Sequence, residues 1–150
     1  MASRLPELID ALMARLQSQP ALDGVEVVDG PVVADSPSPD WVVVGFDGDD
    51  GGTFEAGQTV GGWSGVGTRR EEELQLVVAI IASRGDTDVQ AARRRVYEIA
   101  APIEALLAAT PSLGMAEAEC AIGASALVQE QTSRGIQVRL LLQLVGRAFT

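Results

Sequence analysis

A chain of 150 residues, 47% of them hydrophobic and with a mean hydropathy of +0.18, holds one domain with an ordinary core and is too apolar for intrinsic disorder. Acids outnumber bases 21 to 11, so the formal charge is −10 and the pI is near 4.3, the wrong sign for a free-standing nucleic-acid binder that must neutralise phosphates. All eleven bases are arginine, and the lack of Lys and His excludes a P-loop lysine, a Schiff base, imidazole metal ligands and every Ser–His or Cys–His pair.

Cys120 stands alone, which excludes an internal disulfide and a cysteine zinc cluster and favours a reducing compartment. The opening MASRLPELIDALMARL carries acids among its apolar residues, unlike the core of a signal peptide. The longest nearly apolar run, Leu74 to Ala82, is about half of the roughly 20 residues a membrane span needs. The expectation is a soluble chain that begins in a cytoplasm.

Leu5, Leu8, Ile9, Leu12, Met13 and Leu16 recur at helical steps, which predicts an amphipathic helix over 4–18 with Ser3 as N-cap and Pro20 beyond its end. Val25, Val27 and Val28 suggest a short strand stopped by Asp29-Gly30-Pro31. Residues 33–40 read as a loop, and WVVVGFD (41–47) as a strand buried on both faces. From Asp47 to Thr68 eight glycines and little periodicity predict a long loop, anchored by Phe54, Val60, Trp63 and Val66. Part of it is compatible with an edge strand, but none is assigned.

Residues 71–83, EEELQLVVAIIAS, form the clearest strand, running from a wet edge into the core. Thr87 with Gln90 matches a capping box, and Val89, Ala92, Val96, Ile99, Ile103 and Leu107 mark a second helix, with a kink expected at Pro102. Residues 115–129 and 136–149 alternate around Thr132-Ser133-Arg134-Gly135, as a long hairpin does. The chain therefore reads as a single α+β domain over 1–150: an antiparallel sheet of about five strands against two helices, with a Gly-rich loop and a C-terminal β-hairpin.

Chemistry is sparse. Asp47, Asp49 and Asp50 fall near EF-hand positions, but Gly51 holds the fifth position and Gln58 the twelfth, where a glutamate is required. That favours a solvated acidic turn over a calcium loop. Gly61–Gly67 misses both the phosphate cradle and the nucleophile elbow, and Ser64 has no histidine to serve it. Glu117 and Glu119, two apart on a predicted strand, point the same way, as on any wet strand face. Arg93-Arg94-Arg95 is the only basic run. Arg93 and Arg94 fall off the apolar stripe and suit acids on a neighbouring subunit better than DNA. Nothing here amounts to an enzyme, and no cofactor is implied.

Several phrases resemble the tail terminator proteins of long-tailed bacteriophages: the N-terminal amphipathic helix, VVDGPVV, WVVVGFDGD, EEELQLVVAIIASRGDTDVQAARRRVYEI, PSLG and LVQEQTSRGIQVRLLLQL. The resemblance covers nearly the whole chain. It implies an antiparallel sheet with helices and a ring, a hexamer in the family, on the head-proximal end of the tail tube. Such a ring stops tube polymerisation and docks to the head–tail connector, without enzymatic activity or cofactor. The implied partners are further copies of the chain, the tail tube protein and the connector or stopper protein, with genomic DNA passing through unbound and no membrane. The implied location is the virion neck, with assembly in the host cytoplasm. Arg93, Arg94, Phe54 and Trp63 are the expected contact residues, and Asp47, Asp49 and Asp50 the expected acids of the channel. The Gly-rich stretch departs from the family. Alternatives are another neck or connector protein and, in a different class, a small acidic ligand- or metal-binding domain.

Overall fold

Leu8, Leu12 and Leu16 stand four residues apart and bury along one face of α1 (Leu5–Gln17), as a 3.6-residue repeat requires. The computed structural model describes residues 3–30, 38–47, 55–63 and 69–150, with Gly62 and Trp63 as backbone only. A single 3₁₀ turn (Pro20–Leu22) follows α1, then β1 (Glu26–Asp29), β2 (Asp40–Val44), β3 (Gly57–Trp63) and β4 (Arg70–Arg84). The chain continues through α2 (Val89–Ala109), β5 (Ala118–Thr132) and β6 (Gly135–Phe149).

The strand order is β1–β2–β4–β6–β5, with β3 also on β4. One edge of the 15-residue β4 is divided, Val78–Ala82 pairing β2 and Arg70–Leu76 pairing β3. Its other edge runs along β6 from Glu71 to Arg84. All pairs are antiparallel except β1·β2, which is parallel. Two expectations change here: the sheet has six strands, and it is not wholly antiparallel. The sixth is β3, inside the stretch read as a glycine loop. Strand pairing is made by the backbone, so a glycine-rich segment can join an edge where it has no side chains to pack.

Both helices lie on one face of the sheet. Their buried residues, among them Leu12, Val96, Ile99 and Ile103, join Leu76, Val78, Ile80, Leu140, Leu142 and Leu144 in one core cluster. Even-numbered residues of β4 and β6 supply that core, and odd-numbered ones face away.

Polar side chains fix the helix starts. The N-cap of α2 is Asp88, one residue past the expected Thr87, and its carboxylate accepts the Ala91 N–H at 3.0 Å. Asp88→Ala is expected to cost about 1 kcal/mol and lower Tm by roughly 2–4 °C in a thermal melt. Pro102 does not end α2. It removes the donor for the carbonyl of Glu98, an exposed residue where water can take its place.

The N-cap of α1 is Arg4 rather than Ser3, and it makes no side-chain cap bond. The buried carboxylate of Glu72 on β4 takes that role, accepting the Ser3 hydroxyl and, at 3.0 Å, the Arg4 N–H. The Arg4 guanidinium pairs with Glu7, whose hydrogen bond holds it above its ordinary value, and donates to the carbonyls of Ala116 and Phe149.

The hairpin closes on Ser133-Arg134, with Thr132 opposite Gly135. Gly135 sits at φ +117°, where a Cβ would come within 2.1 Å of the Arg84 carbonyl oxygen, so glycine is required. A bulge at Gly123, between the pairs Ile122–Leu144 and Ala124–Gln143, shifts the β5 register, and glycine suits it because a Cβ there would meet the Val145 methyls at 2.8 Å.

Candidate assembly surface

Among the described residues no helix covers the other face of the sheet, and that face is divided in two. Toward β1 and β2 it is apolar: Val43, Ala79 and Ile81 bury beneath Val28, Trp41, Phe46 and Leu141. Toward the opposite end it is wet. An open trough of about 700 Å³ runs there past Glu71, Glu73, Gln75, Glu119, Val145 and Arg147. Arg147 bridges Glu119 at 2.9 Å and Glu71 at 3.6 Å, and Gln143 donates to Gln75 at 3.0 Å. These groups are exposed, so each ion pair is worth only about 0.2–1 kcal/mol.

Arg139 joins the two halves. Although charged, it is only 8% exposed. One guanidinium nitrogen donates to the Asp47 carbonyl at 2.7 Å, tying the start of the glycine-rich segment to the sheet, while Nε is buried and has no hydrogen-bond partner among the described residues.

A buried ion network closes the far end of β2. The Asp40 carboxylate, its side chain 10% exposed, accepts Arg84 on one oxygen and Arg95 on the other, both at 2.9 Å. Arg84 ends β4 and Arg95 lies on α2, so one acid clamps helix to sheet. The hydrogen bond to Asp40 raises the Arg95 pKa above its ordinary value, against the opposing pull of burial. Sequence reasoning missed this acid, because an aspartate before an apolar strand carries no sign of arginines 44 and 55 residues away. Glu72 was missed as well, though a signal was present: it shares the alternation of Leu74 and Leu76, which places it on the core face where a charge needs a partner.

The basic triplet divides. Arg95 faces inward to Asp40, Arg93 is half-buried and donates to Gln129 of β5 at 2.9 Å, and Arg94 is exposed. Exposed Tyr97 lies one turn further along α2. Asp47 follows β2 and is half-buried. Asp49, Asp50 and Phe54 lie outside the described residues, and of Trp63 the structure gives the backbone, opposite Arg70.

Glu117 and Glu119 do not share a strand. Glu117 precedes β5 in a left-handed conformation at φ +51°, bonded to Arg69, whereas Glu119 lies in β5 with Arg147. The Arg69 hydrogen bond pulls the Glu117 pKa down, the opposite of what a general acid requires. Gln58, the twelfth position of the calcium pattern, sits in β3 opposite Gln75. Among the described residues no three acids or thiols gather as a metal site, and no helix is long and apolar enough to cross a membrane. Buried Cys120 has its thiol pKa pushed up by desolvation.

No protein-family model and no curated protein matches this chain.

Proposed function

We propose that this chain is a tail terminator subunit, whose ring caps the head-proximal end of a phage tail tube, stops its polymerisation and offers a docking surface to the head–tail connector. One observation carries the reading beyond the sequence resemblance. Both helices pack on the same face of the sheet, leaving the wet half of the second face without a covering element and the outer edge of β5 without a partner strand among the described residues. A monomer whose 15-residue edge strand has no strand partner on one side is prone to association, whereas an assembly subunit uses such an edge.

Electron microscopy of tails made with and without this chain tests the reading. Without it tails should be overlong and uncapped, and adding the purified protein should restore their length. Tails of normal length that fail to join heads would instead identify another neck protein, and unaltered tails would dismiss both.

The ring reading carries an expectation about charge. DNA bears about one negative charge per 1.7 Å of axis, so a basic channel would bind it and slow its passage. Asp47, Asp49 and Asp50 are proposed as acids that keep the channel negative. Replacing all three by arginine should permit assembly yet slow ejection; ejection at the wild-type rate would remove these acids from the channel.

A further inference from the structure

We propose that neighbouring copies join by strand addition, the free edge of β5 in one copy pairing antiparallel with the free edge of β3 in the next. The proposal rests on the ring reading and names the surfaces that would close it.

On one side β5 is paired by β6 from Ala118 to Thr132; on the other it has no partner strand among the described residues, and the Pro111 carbonyl accepts the Cys120 N–H at 2.8 Å. Proteins guard such edges with proline, charge, bulges or a covering element. Between Cys120 and Gln129 there is no proline and no ionised side chain, and the one irregularity is the bulge at Gly123. Ala121, Ala124, Ser125, Ala126 and Leu127 are all exposed. This neutral stretch is ten residues, about 33 Å at the usual strand rise.

Among the described residues, three edges of a second copy are available to it. The register that pairs this neutral stretch of β5 with itself sets Glu119 of each copy opposite Glu130 of the other, both on the bare face. Like charges directly opposite destabilise a strand pair. The outer edge of β1 has four residues, two of them Glu26 and Asp29, which would meet the acids that flank β5. β3 has seven residues, Gly57–Trp63, with no ionisable side chain, and Val60 on its bare face is 61% exposed. It is the one edge that brings no repulsion.

The directions also fit. β3 runs antiparallel to β4, β4 to β6 and β6 to β5, so β3 and β5 run oppositely within a subunit. Rotation about an axis along the strands preserves direction, so β5 meets the next β3 antiparallel. The bare faces stay on one side, bringing Val60 beside Ala124 and Ala126, whose small side chains leave room for it. Joining two different edges is a heterologous contact, the kind that closes rings.

Cysteine cross-linking tests this. Val60→Cys with Ala126→Cys in one chain should, on mild oxidation, give a covalent ladder ending at the ring number. Each single variant, and the wild type with only Cys120, should give no linked species. Both sites are exposed, and melting temperatures near wild type would show the fold intact. Covalent dimers from Ala126→Cys alone would establish a β5–β5 contact and overturn the proposal. Rings visible by electron microscopy, with no link from Gln58 or Val60 to Ala124, Ala126 or Val128, would place the contact elsewhere while leaving the ring reading standing. A chain that is monomeric at every concentration, without rings or links, would overturn both.

Discussion

Replacing Arg84 and Arg95 together with alanine should destabilise the protein by about 3–5 kcal/mol and lower Tm by on the order of 10 °C. Each arginine supplies one 2.9 Å bond to the buried Asp40, and together they are its two cationic partners. Removing both strands a carboxylate away from water, which costs far more than the pair contributes over an apolar replacement. The two single variants should be milder, because the remaining guanidinium still faces Asp40 and both arginines are partly solvated. Adding Asp40→Asn to the double variant should recover part of the loss, since the stranded charge is then gone. Denaturant unfolding of all four proteins reads this directly. If the triple variant is the least stable, the arginines act through packing on β4 and α2 instead, and the charge argument fails.

The buried elements were legible because their apolar spacing is set by one face or one side of the chain. α1, expected over 4–18, runs from Leu5 to Gln17, and EEELQLVVAIIAS forms most of β4. The hairpin could be read from alternation and from the glycine its turn demands. Elements held by backbone or by distant charges were not. β3 has three glycines among its seven residues and no buried side-chain pattern, so only its partner β4 reveals it. The parallel pairing of β1 with β2 leaves no trace in the spacing of valines, because strand direction is not encoded in apolar alternation. The α2 start shifted by one residue because Thr87 and Asp88 are both good caps, and only backbone geometry chooses between them. For the proposed site the limit is sharper. A free edge is defined by what does not pair with it, so the neutral run of β5 reads in sequence as an ordinary hairpin arm.

Reversing Arg93 and Arg94 to glutamate should weaken ring formation by roughly 30- to 150-fold in the concentration required, if each copy presents these residues to acids of its neighbour. That range corresponds to about 2–3 kcal/mol per contact, at the low end of couplings measured for close interfacial charges. Arg95 must be left in place, because it belongs to the Asp40 network rather than to the surface. Folding should be little affected. Arg94 is exposed, and Arg93 loses only its bond to Gln129, so Tm should stay within a few degrees of wild type. Raising the salt should weaken wild-type assembly toward the variant's level, since exposed charges are screened over about 8–10 Å at physiological ionic strength. A variant that caps tails at the wild-type concentration and salt would remove the arginines from the interface. Combining the reversal with Val60→Cys and Ala126→Cys separates two roles. If the same covalent ladder forms once the protein is concentrated enough, the strand edges set the geometry of the contact and the arginines set its affinity. If the ladder changes pattern, the charges also choose which edges meet.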